Sequence, residues 1–143
     1  MSFINLARYP KINLLNIDFD YLGIENEEIN QQNIDLKIED EFIVKDYDEN
    51  YVYLTFKRKV FFNPETFYNI LVELNVIYDL NEDFKDKLNI ESLEKEIDEN
   101  RDILAPVLEK VSLLIGNITN VDDDLTVITP PFFHESDLLF ETV

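Results

Sequence analysis

Cysteine is absent from this chain of 143 residues, glycine occurs only twice, and histidine once. Each shortage closes a class of function. Without cysteine there is no disulfide framework and no thiolate metal site, which agrees with a reducing cytoplasmic setting. With glycine confined to Gly23 and Gly116, no glycine-rich loop can cradle a phosphate. The lone imidazole, His134, stands beside the pair Phe132-Phe133 and reads as a surface or tail residue. Acid–base and nucleophilic catalysis need several groups held within hydrogen-bond reach, and no such set stands out. The expectation is a protein that is not an enzyme and uses neither cofactor nor metal. Two acidic stretches, Asp46-Asp48-Asn50 and Asp79-Asn81-Asp83 at alternate positions, begin as a calcium loop does. Tyr51 or Phe84 then replaces its glycine, and Lys57 or Ile90 its chelating glutamate.

Long apolar runs are also missing. Met1-Ser2-Phe3-Ile4-Asn5-Leu6-Ala7-Arg8 lacks a basic region followed by an apolar stretch, and no run reaches membrane-spanning length. A soluble, cytoplasmic protein with no membrane insertion is expected. Basic side chains are scarce: 12 Lys and Arg face 31 Asp and Glu, a formal net charge of −19. Such a field repels phosphate backbones and attracts basic or unfolded, positively charged polypeptides, so no nucleic-acid partner is expected.

What the chain does have is apolar bulk. Hydrophobic residues make up 45% and aromatics 13%, with 11 Phe and 7 Tyr, enough to fold despite the charge. A globule of this length buries roughly 68% of the surface its unfolded chain exposes, so residues 1–143 are read as one domain.

Hydrophobic period organises that bulk. Leu15, Ile17, Phe19 and Tyr21 alternate with Asn16, Asp18 and Asp20, as in a half-buried strand with its acids outward. Polar Glu25 to Gln32 forms a loop. Ile34, Leu36, Ile38, Phe42 and Val44 make a second strand in which Asp40 falls on the apolar face, so either a bulge re-aims it or that stretch is exposed. Asp46 to Asn50 is a hairpin loop of about five residues. Val52, Leu54, Phe56, Val60 and Phe62 line a third strand interrupted by Arg58, and Asn63-Pro64-Glu65 turns the chain. Tyr68, Ile70, Val72, Leu74, Val76 and Tyr78 form the clearest strand. The remaining strand residues Tyr51, Tyr53, Phe61, Phe67, Leu71 and Ile77 then face the other way, on a surface left open for a partner, a second subunit or the tail.

Beyond Asn81 the period becomes helical. Leu93 and Ile97 mark a short amphipathic helix. A main helix starts near Asp102 as its cap, carries Pro106 in its first turn, and is closed by Gly116. Asp122-Asp123-Asp124 is a solvated link, and Leu125 to Ile128 an extended segment before Pro130-Pro131.

These residues resemble the SecB-like export chaperones. Ile17-Asp18-Phe19-Asp20 is similar to that family's first strand, Ile103-Leu104-Ala105-Pro106 to the proline-bearing start of its long helix, and Thr129-Pro130-Pro131-Phe132-Phe133 with Asp137-Leu138-Leu139-Phe140 to its proline corner and short final helix. The element order fits over about residues 12–140. The resemblance implies an α+β fold, a four-stranded antiparallel sheet packed on a long C-terminal helix, with a crossover segment and a short final helix. It implies a homo-oligomer, dimer or tetramer, that holds unfolded or nascent polypeptide without ATP, for export or for one dedicated client such as an antitoxin. Asp20 falls where the family places an acid that docks the translocase motor, and Asn16 where a second acid would stand. The candidate client contacts are Tyr53, Phe67, Leu71, Leu88, Leu93, Ile97 and Phe133, with Asp18 and Asp20 for partner docking. The alternative is an acidic protein-binding module, a nucleic-acid mimic or adaptor, without chaperone activity.

Overall fold

The computed structural model describes residues 2–23, 34–82, 87–121 and 125–134, together with the backbone of 139–141. Four long antiparallel strands dominate: β1 (Lys11–Gly23), β2 (Asp35–Tyr47), β3 (Tyr51–Asn63) and β4 (Phe67–Asp79). They lie in the order β1-β4-β3-β2, with a short β5 (Leu139–Glu141) on the outer edge of β2. The alternation predicted for β3 and β4 holds along their length. Val52, Leu54, Phe56, Val60 and Phe62, and Tyr68 through Tyr78 at every second position, are buried on one face. Above that face sit α1 (Ile90–Glu99), a 3₁₀ turn (Arg101–Leu104), α2 (Ala105–Thr119) and an extended strap over 125–134. The loops expected at Glu25–Gln32 and Asp122–Asp124 lie outside the described residues.

Turn chemistry at the β2–β3 hairpin is tighter than the five residues expected, because Asp46 and Tyr47 remain in β2. Asp48 closes it, accepting from the amides of Asn50 and Tyr51 at 2.8 Å and from the Tyr53 hydroxyl at 3.0 Å. Those amide bonds hold the Asp48 carboxyl below its usual range, and the same aspartate raises the Tyr53 phenol.

Asp40 and Arg58 are the main departure from the sequence expectation. Neither a bulge near Asp40 nor local exposure relieves the charge. The register shift lies between Val44 and Asp46 instead, and it sets Asp40 directly opposite Arg58 across the hairpin. Both side chains point into the covered face and are fully buried. Arg58 Nε and Nη2 donate to the two Asp40 carboxylate oxygens at 2.7 Å each. Two charges that would each spoil an apolar row neutralise one another, and the remaining donors have work elsewhere.

That work is to hold the strap. Arg58 Nη1 donates to Thr129 Oγ1 and the Pro130 carbonyl, and Nη2 to the Phe132 carbonyl. Asp40 accepts from the His134 amide at 2.8 Å, and the His134 carbonyl accepts from the Asp40 amide at 3.0 Å. Upstream, Thr119 Oγ1 bonds both the amide and the carbonyl of Val127, Ser112 bonds the Thr129 carbonyl, and Tyr68 the Leu125 carbonyl. The strap makes no strand ladder, so side chains, together with the Asp40 amide, satisfy its backbone groups. His134 is correspondingly 1% exposed, a buried residue and not the surface one expected.

The helices begin and end differently from the sequence reading. α1 has a reciprocal capping box between Asn89 and Ser92, and turns Leu93 and Ile97 into the core. Asp102 falls inside the 3₁₀ turn and caps nothing; α2 starts at Ala105, with Leu104 in the cap position and Pro106 in the first turn, where no intrahelical donor is lost. Gly116 does not close α2, which runs on to Thr119. A Cβ at Gly116 would meet nothing within 4 Å. Gly116→Ala is therefore expected to raise stability by about 0.5–1 kcal/mol in urea denaturation, since alanine loses less backbone entropy in a helix.

The tail is a further correction. The final helix expected over Asp137–Phe140 is not formed at its described end, where Leu139–Glu141 pairs with Asp35–Lys37. The reason is the open edge of β2, whose unpaired backbone groups accept a strand. The start of that segment lies outside the described residues.

Candidate polypeptide-binding surface

Cross-strand register builds the uncovered face of the sheet row by row. One row reads Glu39, Lys59, Leu71, Asp18 from β2 to β1; the next reads Glu41, Lys57, Glu73, Asn16. Each lysine stands beside a carboxylate. Lys57 Nζ lies 2.7 Å from Glu41, and this contact raises its pKa. The acids of the face remain in excess.

At one end of these rows lies an open depression of about 500 Å³. Phe61 and Leu71 give it an apolar floor, and Asp18, Asp20, Glu39 and Glu65 a carboxylate rim. Asn69 contributes a buried Oδ1 that has no hydrogen-bond partner among the described residues. Such a surface suits an extended segment that brings apolar side chains flanked by cations and a spare donor.

The predicted contacts do not form one site. Leu71, Asp18 and Asp20 meet in the depression. Both Tyr53 and Phe67 lie away from it: Tyr53 shares the open face, pairs with Ile77 and is tied to Asp48, while Phe67, in the left-handed region at φ 57°, packs against the core, edge-on to the buried Phe62. Leu88 and Phe133 belong to the helix side. Leu88 is half-buried, and its carbonyl accepts from the Tyr47 hydroxyl at 3.1 Å. Phe133 anchors the strap, edge-on to Phe42 and Phe56 with the Arg101 guanidinium 4.3 Å over its ring. Leu93 and Ile97 are corrected outright: both are 0% exposed and form part of the core, because the helical spacing that marked them also turns them inward.

Two elements were missed by sequence reasoning. Lys59, Glu65 and Asn69 line the depression, and only the strand register, not the linear spacing, brings them to Asp18 and Asp20. The segment Ser2–Asn5 was read only as the absence of a leader, yet Ile4 is 1% exposed and Phe3 packs against the core. The adjacent apolar pair Phe3-Ile4 ahead of a strand was the available signal.

Other apolar surface stays uncovered. β1 is an edge strand, and the register shift between Leu14 and Asn16 turns both Leu14 and Leu15 to solvent along with Tyr21. On the helix side Leu113 and Ile128 are 66% and 82% exposed around Gly116.

No protein-family model matches this chain, and no characterised protein matches it by sequence. Solved structures do match in shape. A SecB-like chaperone from Mycobacterium tuberculosis, solved in complex with a ChAD peptide from an antitoxin, superposes with a TM-score of 0.56 over 87% of this chain and 93% of its own, at 12% identity. A protein of unknown function from Streptococcus agalactiae matches with a TM-score of 0.50 over 85% of this chain and 94% of its own, at 18% identity. The chain has a SecB-like fold: an antiparallel sheet of four long strands with helices after it.

Proposed function

We propose that this protein is a cytoplasmic, non-enzymatic holdase that binds unfolded polypeptide without ATP. The observation that carries the reading is the depression on the open sheet face, where an apolar floor is ringed by carboxylates. Unfolded clients present short apolar stretches among basic residues, and a surface of this kind takes them without demanding a sequence. The likeness to a SecB-like chaperone that binds an antitoxin peptide supports polypeptide as the ligand class. Its clients are export substrates or one dedicated partner, and Asp18 and Asp20 would receive that partner's cations. The uncovered edge of β1 and the Leu113–Ile128 surface of α2 and the strap favour assembly as a dimer or tetramer.

Aggregation of a chemically unfolded basic client, followed by light scattering, tests the reading. The protein should slow aggregation at stoichiometric amounts and keep part of that effect in high salt, because the apolar floor is not screened. Leu71→Asp should weaken client binding about tenfold or more, the burial of a leucine being worth about 1.5–3 kcal/mol. Failure to slow aggregation at any salt concentration would remove the holdase. Client binding abolished entirely by salt would favour the acidic adaptor in its place.

A further inference from the structure

The segment Ser2–Asn5 is bound to the rest of the protein as a peptide would be. It continues the β1 side of the sheet beyond Leu6–Pro10, pairing Ile4 with Leu80 in antiparallel sense just past the end of β4. The Asn5 amide donates to the Asp79 carbonyl and the Asn81 amide to the Phe3 carbonyl, both at 2.8 Å. Asn81 Nδ2 adds a bond to the Ser2 carbonyl at 2.9 Å. From above, Glu96 of α1 accepts the two successive amides of Phe3 and Ile4, at 2.7 and 3.2 Å. Every one of these contacts reads main chain. Ile4, which fills a place in the core, is the deeply buried side chain.

Glu96 is a built acceptor in an unfavourable position. It lies in the last turn of α1, where the helix already carries partial negative charge and its neighbours are Asp98 and Glu99. Asp98 is offset by Arg101 and Glu99 by Lys95, whereas Glu96 is offset by the two backbone amides of the segment. Beyond Asn5 the hold loosens. Leu6 and Tyr9 are 56% and 65% exposed, and Arg8 reaches Asp79 from a largely exposed side chain. The strand edge, the carboxylate and the core niche thus recognise an extended backbone carrying one aliphatic residue, and they do so through a short stretch that precedes an exposed linker.

We propose that residues 2–5 are a self-ligand: they occupy a polypeptide-binding edge formed by Asp79–Asn81, Glu96 and the niche around Leu80, and an extended client segment with an aliphatic residue at the Ile4 position displaces them. The proposal rests on polypeptide being the ligand, and adds a second contact site together with its autoinhibition. Tethering gives the segment an effective concentration in the millimolar range, so a client gains the edge only when it binds elsewhere as well or arrives in excess. The open depression on the other face supplies that first hold.

The probe is a fluorescent peptide with the sequence of residues 2–8, titrated into the full chain by anisotropy. Asn5→Pro removes the amide that bonds Asp79, together with the exposed side-chain oxygen that accepts from the Ala7 amide, and leaves Ile4 in place, so it should increase peptide affinity about fivefold to tenfold, chiefly the effect of the backbone hydrogen bond. In the unaltered chain, excess peptide should speed hydrogen exchange at the amides of Phe3, Ile4 and Asn5. A peptide with aspartate in place of its isoleucine should do neither. Equal affinity of the peptide for both chains, no binding to either, or unchanged protection of those amides under saturating peptide would each overturn the self-ligand. Should Asn5→Pro fail to fold, the exchange measurement on the unaltered chain decides alone. Aggregation assays separate the two readings: a chain that slows client aggregation but ignores the peptide keeps the holdase and loses the self-ligand, and the converse loses only the holdase.

Discussion

Asp40→Ala is expected to cost about 3–5 kcal/mol of folding stability, because it leaves the Arg58 guanidinium buried with no counter-charge. Arg58→Ala should cost a similar amount, through the uncompensated carboxylate and through the carbonyls of Pro130 and Phe132, which lose their donors. Many buried ion pairs can be exchanged for apolar residues at little cost, and that outcome is not expected here. Arg58→Met with Asp40→Leu removes the charge imbalance but takes the Arg58 donors from two strap carbonyls and the Asp40 acceptor from the His134 amide. The double variant should recover part of the loss, and a double-mutant cycle in urea should return a coupling energy of roughly 1 kcal/mol or more. A double variant as stable as the original chain would mean that the pair organises nothing beyond itself. The strap gives an independent readout, since Phe133 depends on it: loss of the clamp should also loosen the contact of Phe133 with Phe56 and Arg101.

This clamp also marks where the sequence was legible and where it was not. Each strand was visible from its alternation, and β4 displays the period of a half-covered sheet along its whole length, whereas β1, expected to be half-buried, leaves Leu15, Phe19 and Tyr21 exposed at the open edge. Asp40 and Arg58 were each noticed as interruptions, in neighbouring strands of one hairpin. Pairing them required the register, and the register depends on one extra residue between Val44 and Asp46 that no local pattern announces. The end of α2 was misplaced for a related reason. Gly116 has the composition of a stop, but it sits on an open helix face where Thr119, bonded to Val127, supplies the ending instead. The face opposite the helices was anticipated from parity: Phe61, Leu71 and Ile77 fall on it as alternation requires, whereas Phe67, at positive φ, packs against Phe62 of the core instead. Its acid rim was half anticipated. Asp18 and Asp20 were chosen, while Glu65 was read only as part of a turn; four strands and the turn between β3 and β4 had to be folded before these carboxylates converged with Glu39.

Leu93→Ala or Ile97→Ala is expected to lower stability by about 2–5 kcal/mol, with client affinity for the open-face depression unchanged at temperatures where the variant remains folded. Both residues are 0% exposed and form the inner stripe of α1, so truncation leaves a cavity between this helix and the sheet and touches no residue of the depression on the opposite face. The contrast with Leu71→Asp separates core from site, since an exposed-face substitution outside any buried network changes stability by only about 0.5 kcal/mol. The helix adds a second consequence. Glu96 projects from the turn between Leu93 and Ile97, so a cavity beneath α1 loosens the carboxylate that holds the amides of Phe3 and Ile4. Hydrogen exchange at those two amides should therefore quicken in Leu93→Ala more than at the β3–β4 ladder, whose burial does not depend on α1. If the ladder and the amino-terminal amides instead lose protection equally, α1 and the segment it holds unfold only with the whole domain.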